Sequence, residues 1–198
     1  VLAVSFPAAK EAAMTETLIL LFHPELSRSR ANAALLAAAE PLPGVAVADL
    51  QALYPSGSID VEVGVRRLLA ARRVVLQFPV QWYSTPPLLQ AWQDSVLTRM
   101  FYMAYEAEGR LLAGRPLLVA ATAGNLADSY APGGANRFTM EELLRPLQAT
   151  AHRCGLRWSA PFLVYAASRL DGTALAEAGA RYARRLRHWE ESGTQSAT

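Results

Sequence analysis

The chain has 198 residues, 52% of them hydrophobic and 18% charged, with a formal net charge of +2, which suits one globular domain with a full core. The low charged share leaves room for a surface covered by another subunit, and the absence of a Lys/Arg block speaks against nucleic-acid binding. No apolar run reaches the roughly 20 residues that span a bilayer, and the single cysteine, Cys154, offers neither a disulfide framework nor a Cys-based metal site, which suits a cytoplasmic protein.

Residues 1–13 resemble a signal peptide only faintly, because no basic region leads them and Pro7 interrupts a short apolar run. Met14 reads as the natural start and 1–13 as an upstream or added extension, expected to be disordered. Residues 17–22 are near-continuously apolar, the pattern of a strand buried on both faces, and His23-Pro24 end it. Ser29 heads an alanine- and leucine-rich helix to about residue 39. Residues 44–49 read as a second strand. Val61, Val65, Leu68 and Leu69 give 60–71 helical spacing, and 74–78 is a third buried strand stopped by Pro79.

Residues 87–101 read as a helix, with Pro86-Pro87 at its entry. Residues 116–122 are a fourth strand. Gly124, Pro132, Gly133 and Gly134 make 123–137 a loop. Thr139 and Glu142 have the spacing of a capping box for the next helix. Cys154, just before Gly155 at a helix end, reads as a buried structural thiol. Residues 156–164 are a fifth strand and 173–189 a terminal helix, whose Arg181, Arg184, Arg185 and Arg187 read as a solvated face. The polar tail 191–198 is expected to be frayed.

Strands thus alternate with helices across residues 14–190, which predicts a single α/β domain with a parallel, doubly wound sheet. Ligands in such folds sit at the carboxyl ends of strands, so the loops after the first, third and fourth strands are the places to look. No GxGxxG, no GxxxxGK[ST] and no GxSxG is present. His23, His152 and His188 lack metal-ligand spacing, so no metal site is expected.

In the first loop, Ser29 and Asn32 stand in the first turn of a helix, where backbone N–H groups and the helix dipole suit a phosphate. Ser29 reads equally as a plain N-cap. His23 is placed to reach a phosphate or a ring edge, or is a satisfied structural residue. The second loop sets two aromatics, Trp82 and Tyr83, directly after a buried strand. They suit a planar ring system, or else cover the core or another subunit. In the third loop, 122–125, Gly124 permits close backbone approach, and Tyr130 and Asn136 follow in a stretch long enough for a pocket wall. The segment 88–105 is more apolar than one sheet face needs, which fits either partner contact or an ordinary core helix.

Taken in order, these loops resemble the NAD(P)H dehydrogenase (quinone) family of flavodoxin-like proteins, over roughly residues 17–187. The likeness is nearest to the ancillary oxidoreductase subunits of glutathione-regulated potassium-efflux systems. It rests on His23-Pro24 with Ser29 and Asn32, on Leu50-Gln51-Ala52-Leu53-Tyr54-Pro55, on the run 78–89 with Trp92 and Asp94, and on Pro146-Leu147-Gln148-Ala149-Thr150-Ala151 with Cys154-Gly155-Leu156.

The resemblance implies a flavodoxin-like three-layer α/β sandwich with a five-stranded parallel sheet of order 2-1-3-4-5. It implies a non-covalent flavin, FMN with FAD as the alternative, NAD(P)H as co-substrate, and a homodimer. By position, His23, Ser29 and Asn32 would hold the flavin phosphate region. Val80, Gln81, Trp82 and Tyr83 would line the isoalloxazine, with the loop amides from Gln81 to Tyr83 hydrogen-bonding it. Thr98, Arg99, Met100 and Phe101 would approach it, and Thr122, Ala123, Gly124 and Asn125 would complete the pocket. Tyr130 matches a tyrosine that assists hydride transfer in the wider family, whereas Asn136 stands where that family has histidine, and Asn125 replaces a glycine.

The implied activity is two-electron, ping-pong transfer of hydride from NAD(P)H through flavin to a quinone or similar electrophile. Two other readings remain open from the sequence. One is a regulatory subunit docked on the cytosolic domain of a potassium-efflux transporter, peripheral at the inner face of the membrane. The other is an azo- or nitroreductase of the same fold.

Overall fold

The apolar run after residue 15 is a central strand because its alternate side chains enter two different cores. In the computed structural model, which describes residues 15–189, β1 (Thr15–Leu21) points Leu18 and Leu20, with Phe22 beyond them, into one core and Ile19 into the other. The expectations for residues 1–13 and 191–198 lie outside the described residues.

The other elements follow in order: α1 (Arg30–Ala39), β2 (Val45–Asp49), α2 (Leu50–Leu53), α3 (Val61–Leu69), β3 (Ala71–Pro79), α4 (Pro87–Trp92), β4 (Pro116–Thr122), α5 (Met140–Leu143), α6 (Arg145–Arg153), β5 (Arg157–Trp158), β6 (Phe162–Val164) and α7 (Gly172–Arg187). All strand pairs are parallel, in the order β2-β1-β3-β4-β5, with β6 also paired to β4. Buried residues of α1 and α7 share one core with Val75, Leu118 and Ala120, and those of α3, α4 and α6 share the other with Leu76, Phe78 and Val119. The three-layer sandwich is therefore present. Gly179 of α7 lies against α1, where a Cβ would stand 3.1 Å from the Ala34 carbonyl oxygen.

Two elements differ from expectation. The fifth strand is split: β5 pairs beside Pro116 and Leu117, β6 beside 120–122, and 159–161 separate them. Pro161 has no N–H to give a ladder, which an edge position tolerates. The helix expected over 87–101 is α-helical only to Trp92, and then runs through two π-helical turns, Gln93–Leu97 and Arg99–Met103. The wider turns bring Val96, Met100 and Phe101, spaced four and five apart, onto one buried face. The capping box forms as expected, with the Thr139 N–H donating to Glu142 Oε2 at 2.7 Å and the Glu142 N–H to Thr139 Oγ1 at 3.2 Å.

Candidate functional site

Because β1, β3 and β4 run parallel and adjacent, the loops that leave them open on one edge of the sheet. The first feature there is a cavity of about 310 Å³ lined by His23, Ser29, Arg30, Thr122 and Gly124, with Ala167 and Ser168 from beyond β6. No acidic side chain lines it. Ser29 caps α1, its Oγ accepting the Asn32 N–H at 3.3 Å, which leaves the Arg30 and Ala31 amides of the first turn without an acceptor among the described residues. Arg28 is held by Glu25 at 3.3 Å, while Arg30 has no ion pair among the described residues. A Cβ on Gly124 would meet nothing within 4 Å. Open space, free amides and unopposed positive charge make this an anion cradle.

His23 lines the cradle in a defined tautomer. Its Nδ1 accepts the Glu25 N–H at 3.0 Å, so the neutral ring carries its proton on Nε2 and offers it as a donor. Burial holds the imidazole below its ordinary value, opposed by Asp49 and Glu25.

The expected role of Asn32 requires correction. Its side chain is buried and committed inward: Nδ2 donates to Thr122 Oγ1 at 2.9 Å and to Ser29 Oγ at 3.3 Å, and Oδ1 accepts from Gln77 Nε2 at 3.3 Å. It holds the residues that face the cavity and is not itself a free ligand.

The second feature is a tight turn. Gln81 and Ser84 exchange N–H···O bonds of 3.0 and 2.9 Å, and Trp82 and Tyr83 between them have φ of 47° and 63°. Both central residues in the left-handed region define a type I′ turn, normally the place of Asn-Gly. Trp82 is 95% exposed and Tyr83 50%. The expectation for the loop amides is corrected in part: the Gln81 N–H is used by the Ser84 carbonyl, and the Val80 N–H by the Thr122 carbonyl at 2.8 Å. The amides of Trp82 and Tyr83 have no such partner among the described residues.

Asn136 ties the loops together. Its Oδ1 accepts from the Tyr83 hydroxyl at 3.4 Å and from Asn125 Nδ2 at 3.2 Å, and its buried Nδ2, which faces Tyr130, has no partner within 3.5 Å among the described residues. Tyr130 is buried with its ring 5.5 Å from that of Tyr165. Burial, then Tyr83, pushes the Tyr130 phenol up, and the nearby Asn136 amide opposes this.

The group 98–101 is divided by the structure. Thr98 and Phe101 line a second cavity of about 520 Å³, which shares Val80 with the cradle and is also bounded by Tyr83, Tyr102 and Met140. Met100 is fully buried. Arg99 is held by Glu62 at 2.8 Å and Glu108 at 2.9 Å. The side chains of Arg99 and Met100 therefore do not reach either cavity, contrary to expectation. Sequence reasoning missed Arg30, Ala167 and Ser168 as cradle residues, the last two because only the loops after the first, third and fourth strands were expected to carry the site. It also missed Gln77, a lone polar residue inside the apolar run of β3.

A family model for a flavodoxin-like fold matches residues 15–187. Among curated relatives, the uncharacterized NAD(P)H oxidoreductase YdeQ of Bacillus subtilis is 38% identical over 175 residues, 88% of this chain and 88% of its own length. The glutathione-regulated potassium-efflux system ancillary protein KefF of Salmonella typhimurium is 40% identical over 174 residues, 88% of this chain and 97% of its own. Among solved structures, the general stress protein 14 of Treponema denticola in complex with FMN superposes with a TM-score of 0.77 at 33% identity, over 89% of this chain and 98% of its own. The resemblance read from the loops is borne out, and the chain belongs to the flavodoxin-like fold family.

Proposed function

We propose that this protein is an FMN-dependent NAD(P)H oxidoreductase acting on a quinone or similar electrophile, as a homodimer. The observation that carries this reading is the strained, solvent-open turn at Trp82 and Tyr83, set beside a cradle free of acidic groups. Backbone strain of this kind persists at sites where the loop shape serves a ligand. The names of the relatives agree with it.

The residues fit the cofactor. Ser29, Thr122, the Arg30 side chain and the Arg30 and Ala31 amides of α1 would hold the phosphate. The two free turn amides and the faces of Trp82 and Tyr83 would meet the ring system. When bound, FMN would supply two-electron hydride transfer between NAD(P)H and the acceptor, in ping-pong order. The chain's own residues do the rest. Tyr130, whose phenol burial pushes up, would donate a hydrogen bond to negative charge on the bound ring. Asn136 orients Tyr83. The cavity bounded by Thr98, Phe101 and Tyr102 gives a planar acceptor room beside Val80. A second copy covering the exposed Trp82 would exclude water from the same edge.

Purified protein is expected to bind FMN with a visible band near ~450 nm and to oxidise NADPH with a quinone. Protein that takes up neither FMN nor FAD overturns the reading.

A further inference from the structure

Beneath the cradle runs a chain of hydrogen bonds made by side chains with almost no solvent contact. Tyr182 and Gln77 are 0% exposed, Asn32 1% and Thr122 3%. The Tyr182 hydroxyl meets Gln77 Oε1 at 3.2 Å. Gln77 Nε2 meets the Asn32 backbone oxygen at 3.1 Å and Asn32 Oδ1 at 3.3 Å. Asn32 Nδ2 meets Thr122 Oγ1 at 2.9 Å and Ser29 Oγ at 3.3 Å. The chain thus crosses from α7 through β3 and α1 to two hydroxyls that line the cavity.

Its direction is set at one atom. A backbone carbonyl can only accept, so Gln77 must turn its NH2 towards the Asn32 oxygen. Gln77 Oε1 then faces Tyr182, whose phenol must donate. Burial pushes that phenol up, which keeps its proton in place. The same Gln77 NH2 meets Asn32 Oδ1, so Asn32 in turn presents its NH2 to the two hydroxyls. Ser29 Oγ accepts twice, from the Asn32 N–H and from Nδ2, and Thr122 Oγ1 accepts once. Each hydroxyl is left with a hydrogen that has no acceptor among the described residues.

We propose that Gln77 is a positioning residue for the anion cradle: by holding Asn32 in one orientation it leaves the Ser29 and Thr122 hydroxyls as outward donors to a phosphate monoester. The inference rests on the reading of this cavity as the FMN phosphate site. For the Tyr182–Gln77 bond alone an apolar pair of similar shape would serve about as well, since replacing both partners of a buried hydrogen bond is close to neutral. A buried polar chain that ends on the ligand cavity instead gives the cavity a fixed donor polarity. Without Gln77, the Asn32 amide is free to turn its oxygen to the hydroxyls, which then donate inwards. Tyr182 has a lesser part. It satisfies Gln77 Oε1, but the Asn32 carbonyl holds Gln77 without it.

The test compares FMN with riboflavin, which has the same ring and no phosphate, using flavin fluorescence titration of the full-length apoprotein. Gln77→Met is expected to weaken FMN about tenfold relative to riboflavin, the loss of one or two good hydrogen bonds to a charged group. The double variant Gln77→Leu/Tyr182→Phe removes both partners of the Tyr182–Gln77 bond together, so that no buried phenol is orphaned and only the Asn32 amide loses its donor, and it is expected to show the same selective loss. Tyr182→Phe alone is expected to leave the FMN-to-riboflavin ratio unchanged. Equal weakening of the two ligands in Gln77→Met and the double variant, or no weakening, overturns the inference. A loss in Tyr182→Phe as large as in Gln77→Met overturns the assignment of direction to Gln77. Ser29→Ala separates the levels: if it leaves the ratio untouched, the phosphate reading itself fails, whereas a selective loss there with none in Gln77→Met rejects only the positioning role.

Discussion

The Tyr83 hydroxyl donates to Oδ1 of Asn136 at 3.4 Å, across the gap between the loop after β3 and the loop after β4. Asn125 Nδ2 donates to the same oxygen at 3.2 Å. Two donors on one acceptor fix the amide, so its Nδ2 faces inward towards Tyr130, with no partner within 3.5 Å among the described residues. Asn136→Ala is expected to lower kcat with a quinone about tenfold while flavin affinity stays near that of the parent. Steady-state kinetics alongside flavin titration separate the two effects. Asn136→His introduces a group that titrates near neutrality, and a new limb is expected in the pH–rate profile between about pH 6 and 7.

The turn at 82–83 stores strain that a glycine would release. A non-glycine residue in the left-handed region costs about 1–3 kcal/mol, and Trp82, 95% exposed, has little packing to lose. Trp82→Gly is therefore expected to stabilise the apoprotein by about 1 kcal/mol and to weaken FMN. Urea unfolding of the apoprotein measures the first effect. A lower midpoint in the variant would contradict the strain argument.

His23 makes stability depend on pH. Burial depresses its folded value below the ordinary 6.5, so the unfolded chain binds the proton more readily. Its contribution is present above pH 6.5 and is lost as pH falls through the depressed value. Apoprotein stability followed from pH 7.5 down to 5 is expected to fall more steeply in the parent than in His23→Gln.

Cys154 is 5% exposed, and burial pushes its thiol up to about 11. Iodoacetamide at pH 8 is expected to leave the native protein unlabelled and to label it in urea, which intact mass reads directly. Rapid native labelling would show that the helix end around Cys154 opens.

Much of the fold was legible because burial on two faces leaves a plain signature. The runs at 17–22, 74–78 and 116–122 are apolar without alternation, and each became a central strand. Thr139 and Ser29 marked helix starts because a capping side chain acts locally. The π-helical turns were not legible, since the choice between α and π spacing was made by what Val96, Met100 and Phe101 had to reach. The break at 159–161 depended on which strand edge Pro161 occupied.

The site divides in the same way. Its loops, and the presence of Ser29, Trp82, Tyr83 and Tyr130 on them, could be read from the order of strands and the residues that end them. The type I′ turn could not, because Trp-Tyr is a poor sequence for it and the bridge between Gln81 and Ser84 imposes it. Nor could the inward commitment of Asn32. The sequence by itself determined which strands are central and which loops share their carboxyl edge, because hydrophobic patterning and capping act over a few residues. Only the tertiary structure decided which polar groups on that edge are free, because Gln77 is 45 residues from Asn32 and 105 from Tyr182, and hydrogen-bond partners so distant meet only after the layers pack.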